Sequence, residues 1–166
     1  MRLITAMKKE TISVEFTRYA ALTSLTTEDR SLITLAKEQL DIAYAPYSNF
    51  HVGAAVLLES GVTITGCNQE NASYPLCTCG EHNALMTAGN GHPGVRITTL
   101  AIVARNPNQP VTQPVTPCGA CRQIIAEFEV RQDAPIRLLL QGETGDIYEF
   151  ESVKGLLPLS FDRTFL

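Results

Sequence analysis

The sequence predicts an α/β fold in which a mixed five-stranded sheet is sandwiched by helices in three layers, α-β-α, with an extra N-terminal strand or arm. Three observations carry that expectation. The order of periodic segments is α-β-β-α-β-α-β-β, as in a mixed sheet covered by helices. Two runs, Ile97–Ala104 and Ile136–Gln141, are almost continuously apolar, which suits strands buried on both faces. The chain has 166 residues, 45% of them hydrophobic, enough for one sizeable core and too few for a second domain of similar size.

Residues 1–26 form the expected arm, and residues 27–166 the main domain. Within the arm, Ile12, Val14 and Phe16 share one face at the two-residue period of a strand. Thr27 offers an N-cap for a helix through about Ala43, with Glu28 and Asp29 suited to its first turn. Leu32, Leu35, Ala36, Leu40 and Ala43 recur at helical spacing, and Pro46 stops the helix. Val52–Leu58 and Val62–Gly66 read as two strands joined by a Ser60-Gly61 turn. An Asn- and Pro-rich loop covers Asn68–Pro75, and residues 79–89 have helical character. A Pro-rich loop, Asn106–Pro117, leads into a helix at 118–129. Thr144-Gly145-Asp146 then turns the chain into a last strand near 147–151.

Charge and composition narrow the function. The formal net charge is -4, and no basic cluster is longer than the Lys8-Lys9 pair. A protein that grips a nucleic acid polymer usually carries a basic footprint, so a small-molecule partner is expected. The N-terminus lacks the apolar core of a secretory signal. No apolar run approaches the length of a membrane span, and a cytoplasmic location is expected. Five cysteines in a reducing compartment are more readily free thiols or metal ligands than disulfides.

Pro117-Cys118-Gly119-Ala120-Cys121 places two cysteines at a spacing that can reach one metal ion, at a helix start where free N–H groups stabilise thiolates. Taken alone, the pair is ambiguous: a half-formed structural zinc knuckle or a thioredoxin-like redox couple together weigh about evenly against catalysis, and the redox reading lacks its usual setting of a strand and helix near the domain start. Cys79-Gly80-Glu81 stands at another helix start upstream. Alone, Glu81 is a carboxylate favoured by the helix dipole. Together the two segments, Cys-x-Glu then Pro-Cys-x-x-Cys, resemble the signature of zinc nucleobase deaminases. Three protein ligands leave a fourth tetrahedral position open, the mark of catalytic zinc.

Further stretches resemble the cytidine deaminase family: Ala45–Ala55, Gly66–Tyr74, Pro117–Gln123 and Leu156–Phe161. The similarity runs from about residue 28 to about residue 161, and the chain has the size of the short, homotetrameric type. The resemblance implies that Cys79, Cys118 and Cys121 bind Zn2+. Zinc would lower the pKa of a bound water toward neutrality, and Glu81 would take its proton and shuttle it to N3 and to the departing amine as C4 is attacked. Asn68 and Glu70 would hold the ribose 3′-hydroxyl. Phe50 would stack on the pyrimidine, Gly80 would present its backbone near the base, and Tyr47, Tyr74 and Phe161 would border the pocket, some from a neighbouring subunit. The implied reaction is hydrolytic deamination of cytidine and deoxycytidine in pyrimidine salvage.

The family usually has Cys-Ala-Glu-Arg where this chain has Cys79-Gly80-Glu81-His82. Three thiolates on one zinc leave a net negative charge that raises the pKa of bound water, and the family's Arg offsets it. His82, or Arg122 beside Cys121, is expected to take over that role. Cys77 is expected to be a spare thiol, with a competing ligand as the less favoured reading. Two other functions stay open on the sequence: deamination of another nucleoside-like heterocycle, and a catalytically inactive zinc-binding protein. A fourth bound thiolate would favour the second.

Overall fold

The structure, a computed structural model, describes residues 7–166. The first six residues of the expected arm therefore lie outside the described residues. Six strands form one mixed sheet: β1 (Thr17–Tyr19), β2 (His51–Leu58), β3 (Thr63–Cys67), β4 (Ile97–Arg105), β5 (Arg137–Gln141) and β6 (Ile147–Phe150), in the order β1-β6-β5-β4-β2-β3. Only β4 and β5 run parallel, and every other neighbouring pair is antiparallel. Three helices cover the sheet: α1 (Thr27–Glu38) on one face, α2 (Gly80–Gly91) and α3 (Gly119–Gln132) on the other.

The two-sided burial follows from the strand sequences. Along β2, Ala54, Val56 and Leu58 point toward α2 and α3, while Ala55 and Leu57 point toward α1. The apolar runs of β4 and β5 feed both faces: Leu138 and Leu140 join the first core, and Leu139 the second. Gly53 lets α1 approach closely, since a Cβ there would stand 2.0 Å from the Ala36 carbonyl oxygen. The β2–β3 turn is the expected one, with Gly61 at φ 82° in the left-handed region that favours glycine.

Three local expectations shift. The helix cap is Thr26, not Thr27; its hydroxyl accepts the Asp29 N–H at 3.1 Å. Regular helix ends at Glu38 and continues only as a 3₁₀ turn, Gln39–Asp41, instead of reaching Ala43. The Leu40 carbonyl is taken by His51 Nδ1 at 3.0 Å and Arg105 Nη2 at 3.3 Å, so it does not continue the helical ladder. In the arm, the strand is Thr17–Tyr19, immediately after the alternating stretch. Its register against β6 is backed by Arg18 to Asp146 and by the Tyr19 hydroxyl donating to Glu149 at 2.9 Å. Phe16 packs on Tyr148 and Phe150, with ring centroids 4.6 and 5.4 Å apart, yet like Ile12 and Val14 it remains exposed.

Candidate active site

The N-termini of α2 and α3 meet at one end of the sheet and bring three sulfurs together. Cys79 and Cys118 are the N-cap residues of the two helices, and Cys121 lies in the first turn of α3. Neither N-cap cysteine uses its side chain to cap its helix, so both sulfurs are available to a metal. The sulfurs of Cys79, Cys118 and Cys121 all lie within 4.8 Å of one another, and the Cys79–Cys118 pair is 3.9 Å apart. A tetrahedral zinc with bonds of about 2.3 Å requires sulfurs about 3.8 Å apart, so the donor set fits the ion. Both helix dipoles place their positive ends at the thiolates. The Cys79 thiol pKa is lowered, chiefly by a hydrogen bond from Cys121, whose own pKa rises as the donor in that pair.

Glu81 sits on the first turn of α2, only 3% exposed. Burial pushes its carboxyl pKa upward, against opposing pulls from its own backbone N–H, Cys121 and the charge of His82. Its Oε2 is buried without a hydrogen-bond partner. An orphaned carboxylate oxygen in an interior costs free energy unless a ligand meets it, and Glu81 lines the same cavity as Cys79 and Cys118.

That cavity has a volume of about 320 Å³. Besides these residues it is lined by Phe50, Asn68, Glu70 and Cys77, among others. The Asn68–Glu70 segment is strung between two neighbours: Tyr44 N–H donates to the Asn68 carbonyl at 3.1 Å, and Gln69 exchanges backbone bonds with Thr78 at 2.9 and 3.0 Å. Asn68 is 8% exposed, and its amide extends the backbone ladder. Its Oδ1 accepts the Val52 N–H at 2.8 Å, and its Nδ2 donates to the Phe50 carbonyl at 2.9 Å. For Glu70, burial favours the neutral acid, but the Ser48 hydroxyl and the Tyr47 and Ser48 N–H groups outweigh it, and the net pKa is lowered.

Not every expected residue joins the cavity. Tyr74 and Phe161 are 67% and 59% exposed and stand outside its lining; Tyr47 is exposed too, its ring 5.7 Å from that of Tyr74. Gly80 is buried against the sheet, where a Cβ would lie 2.7 Å from the Val52 carbonyl oxygen. Arg122 directs its guanidinium to oxygens, not sulfurs: the Pro117 carbonyl at 2.8 Å, the Leu156 carbonyl at 2.9 Å and the Thr116 hydroxyl at 3.1 Å. His82 is half-buried beside Glu81. Cys77 lies outside the three-sulfur cluster; its sulfur accepts the Asn71 N–H at 3.2 Å. The lining also holds Ser48, Ile102 and Thr116, to which the sequence reading gave no role. Ser48 carried a signal, since it lies between Tyr47 and Phe50 in a stretch already singled out.

A three-layer α-β-α sheet with a buried carboxylate beside a three-cysteine cluster at paired helix N-termini defines the class of zinc-dependent deaminases. A family model described as the cytidine and deoxycytidylate deaminase zinc-binding region matches residues 26–133. A cytidine deaminase of Sporosarcina psychrophila is 42% identical over 133 residues, 80% of this chain and 90% of that protein. One of Halalkalibacterium halodurans is 43% identical over 131 residues, 78% of this chain and 91% of that protein. The crystal structure of a cytidine deaminase from Burkholderia pseudomallei superposes with a TM-score of 0.70 at 39% identity, covering 82% of this chain and 100% of that one. This chain belongs to the cytidine deaminase family.

Proposed function

We propose that the protein hydrolyses cytidine and deoxycytidine to uridine and deoxyuridine, with release of ammonia. The observation that carries this reading is the partnerless, buried Oε2 of Glu81 in a cavity shared with the cysteine cluster. Zinc held by Cys79, Cys118 and Cys121 would supply a polarised water of lowered pKa. Glu81 accepts one proton of that water at Oε2 and delivers it to N3 of the base as the water oxygen bonds to C4; it then takes the proton left on that oxygen and passes it to the 4-amino group, which leaves as ammonia when the C4–N bond breaks. Its upward-shifted pKa suits a group that must hold the proton between those transfers. Phe50 faces the base, and Asn68 and Glu70 meet the sugar. The offset of the thiolate charge falls in this reading to His82, half-buried beside Glu81, since the hydrogen bonds of Arg122 go to oxygens.

Deamination of a different nucleoside-like heterocycle is less favoured, because Phe50, Asn68 and Glu70 line one cavity with the cysteines. An inactive zinc protein is disfavoured by Cys77, whose sulfur turns to Asn71 and not to the cluster. The same reading extends to a homotetramer in which exposed Tyr47, Tyr74 and Phe161 complete neighbouring sites, a role in pyrimidine salvage, and a cytoplasmic location. Among the described residues no helix is long and apolar enough to cross a membrane. The net charge of -4 speaks against a nucleic acid polymer as substrate. Residues 27–166 would be the catalytic domain and 1–26 an arm that adds a strand to it. The test is cytidine turnover by the purified protein, followed by ammonia release and ultraviolet change, with Glu81→Ala as control. Turnover by wild type alone supports the reading; turnover by both, or by neither with zinc bound, defeats it.

A further inference from the structure

Ser48 lines the cavity and joins two residues assigned to the substrate. Its hydroxyl oxygen accepts the Phe50 N–H at 2.9 Å. An N–H can only donate, so this contact occupies a lone pair, and the single hydroxyl proton faces the other neighbour, Glu70 Oε1. Glu70 Oε2 accepts the N–H groups of Tyr47 at 2.9 Å and of Ser48 at 3.2 Å. Three donors from one turn thus fix the plane of a single carboxylate, and Oε1 keeps a lone pair for another donor. The turn itself is closed by Asn49, at φ 56° in the left-handed region, which returns the Phe50 N–H to the Ser48 hydroxyl.

We propose that Ser48 is a positioning residue, whose hydroxyl aims the Glu70 carboxylate at a sugar hydroxyl of the nucleoside. This rests on the deaminase reading above. The Phe50 N–H sets the direction of the Ser48 proton, and the Ser48 proton sets the free lone pair of Glu70. Zinc binding and proton transfer at Glu81 do not pass through this chain of contacts.

The test compares wild type, Ser48→Ala and Ser48→Thr on cytidine and 2′,3′-dideoxycytidine, with calorimetric binding of uridine and 2′,3′-dideoxyuridine and zinc content per chain. Losing one charge-assisted hydrogen bond should raise KM for cytidine and Kd for uridine roughly tenfold in Ser48→Ala. The values for the dideoxy compounds, kcat and zinc content should hold, and Ser48→Thr should restore wild-type behaviour. Equal losses on both sugars, no loss, loss of zinc, or failure of the Thr variant to restore binding would overturn the assignment. A wild type that binds uridine without deaminating cytidine counts against the deaminase reading, while the binding arm still decides Ser48. A wild type that does neither overturns both.

Discussion

Replacing Asn68 by Asp keeps the side chain's shape and changes one group. Oδ1 still accepts the Val52 N–H, found at 2.8 Å, but the atom that donated to the Phe50 carbonyl at 2.9 Å becomes a second acceptor. A lost hydrogen bond costs about 1 kcal/mol, and a buried carbonyl facing an unmatched oxygen about 1–3 kcal/mol more. The sum is about 2–4 kcal/mol, drawn from a position only 8% exposed. With a urea m-value of about 2 kcal/mol/M, the unfolding midpoint should fall by about 1–2 M at neutral pH. The sign with pH follows from the neutral acid being the form that can donate to Phe50. The folded-state pKa of the introduced carboxyl lies above its unfolded value of about 3.9. Its stabilising contact is therefore present below that value and lost as pH rises through the folded pKa, so the gap to wild type narrows on acidification. A gap under about 0.5 kcal/mol, within the range of an ordinary surface change, or one independent of pH, would refute the ladder role of Asn68.

Two further outcomes follow from the same end of the sheet. Gly80→Ala should lower both melting temperature and zinc occupancy, because the new Cβ would lie 2.7 Å from the Val52 carbonyl oxygen and 3.3 Å from the Cys67 Cα, backbone that cannot rotate away. The crowding costs about 1–3 kcal/mol, more than the gain of about 1 kcal/mol in helix propensity, and unchanged thermal and metal-binding behaviour would contradict it. His82→Ala should weaken zinc retention or slow turnover, since it removes the half-buried imidazole beside Glu81; unchanged kinetics and metal content would remove His82 from the site.

The three clustered cysteines were legible because their information is local. Cys79, Cys118 and Cys121 each stand at or just inside a helix start, and a helix start is visible in the residues beside it. The two-sided strands β4 and β5 were legible because their apolar runs leave no polar face. What escaped depended on partners distant in the chain. The arm strand falls at Thr17–Tyr19 because Arg18 meets Asp146 and Tyr19 meets Glu149, and alternation at Ile12, Val14 and Phe16 carries no trace of those partners. Arg122 stands beside Cys121 in sequence, but its guanidinium follows the carbonyl of Leu156, 34 residues away. Asn68 lay in an Asn-rich loop whose side chains suggested hydroxyl binding; its tie to the backbone of β2 required the fold.

Three cysteines should hold the zinc and leave one position for water. X-ray absorption at the zinc edge of the metal-loaded protein tests it directly, with Cys77→Ser as companion. Three sulfur neighbours at about 2.3 Å and one oxygen are expected in both proteins. Four sulfurs in wild type, falling to three in Cys77→Ser, would show a closed structural site and contradict it.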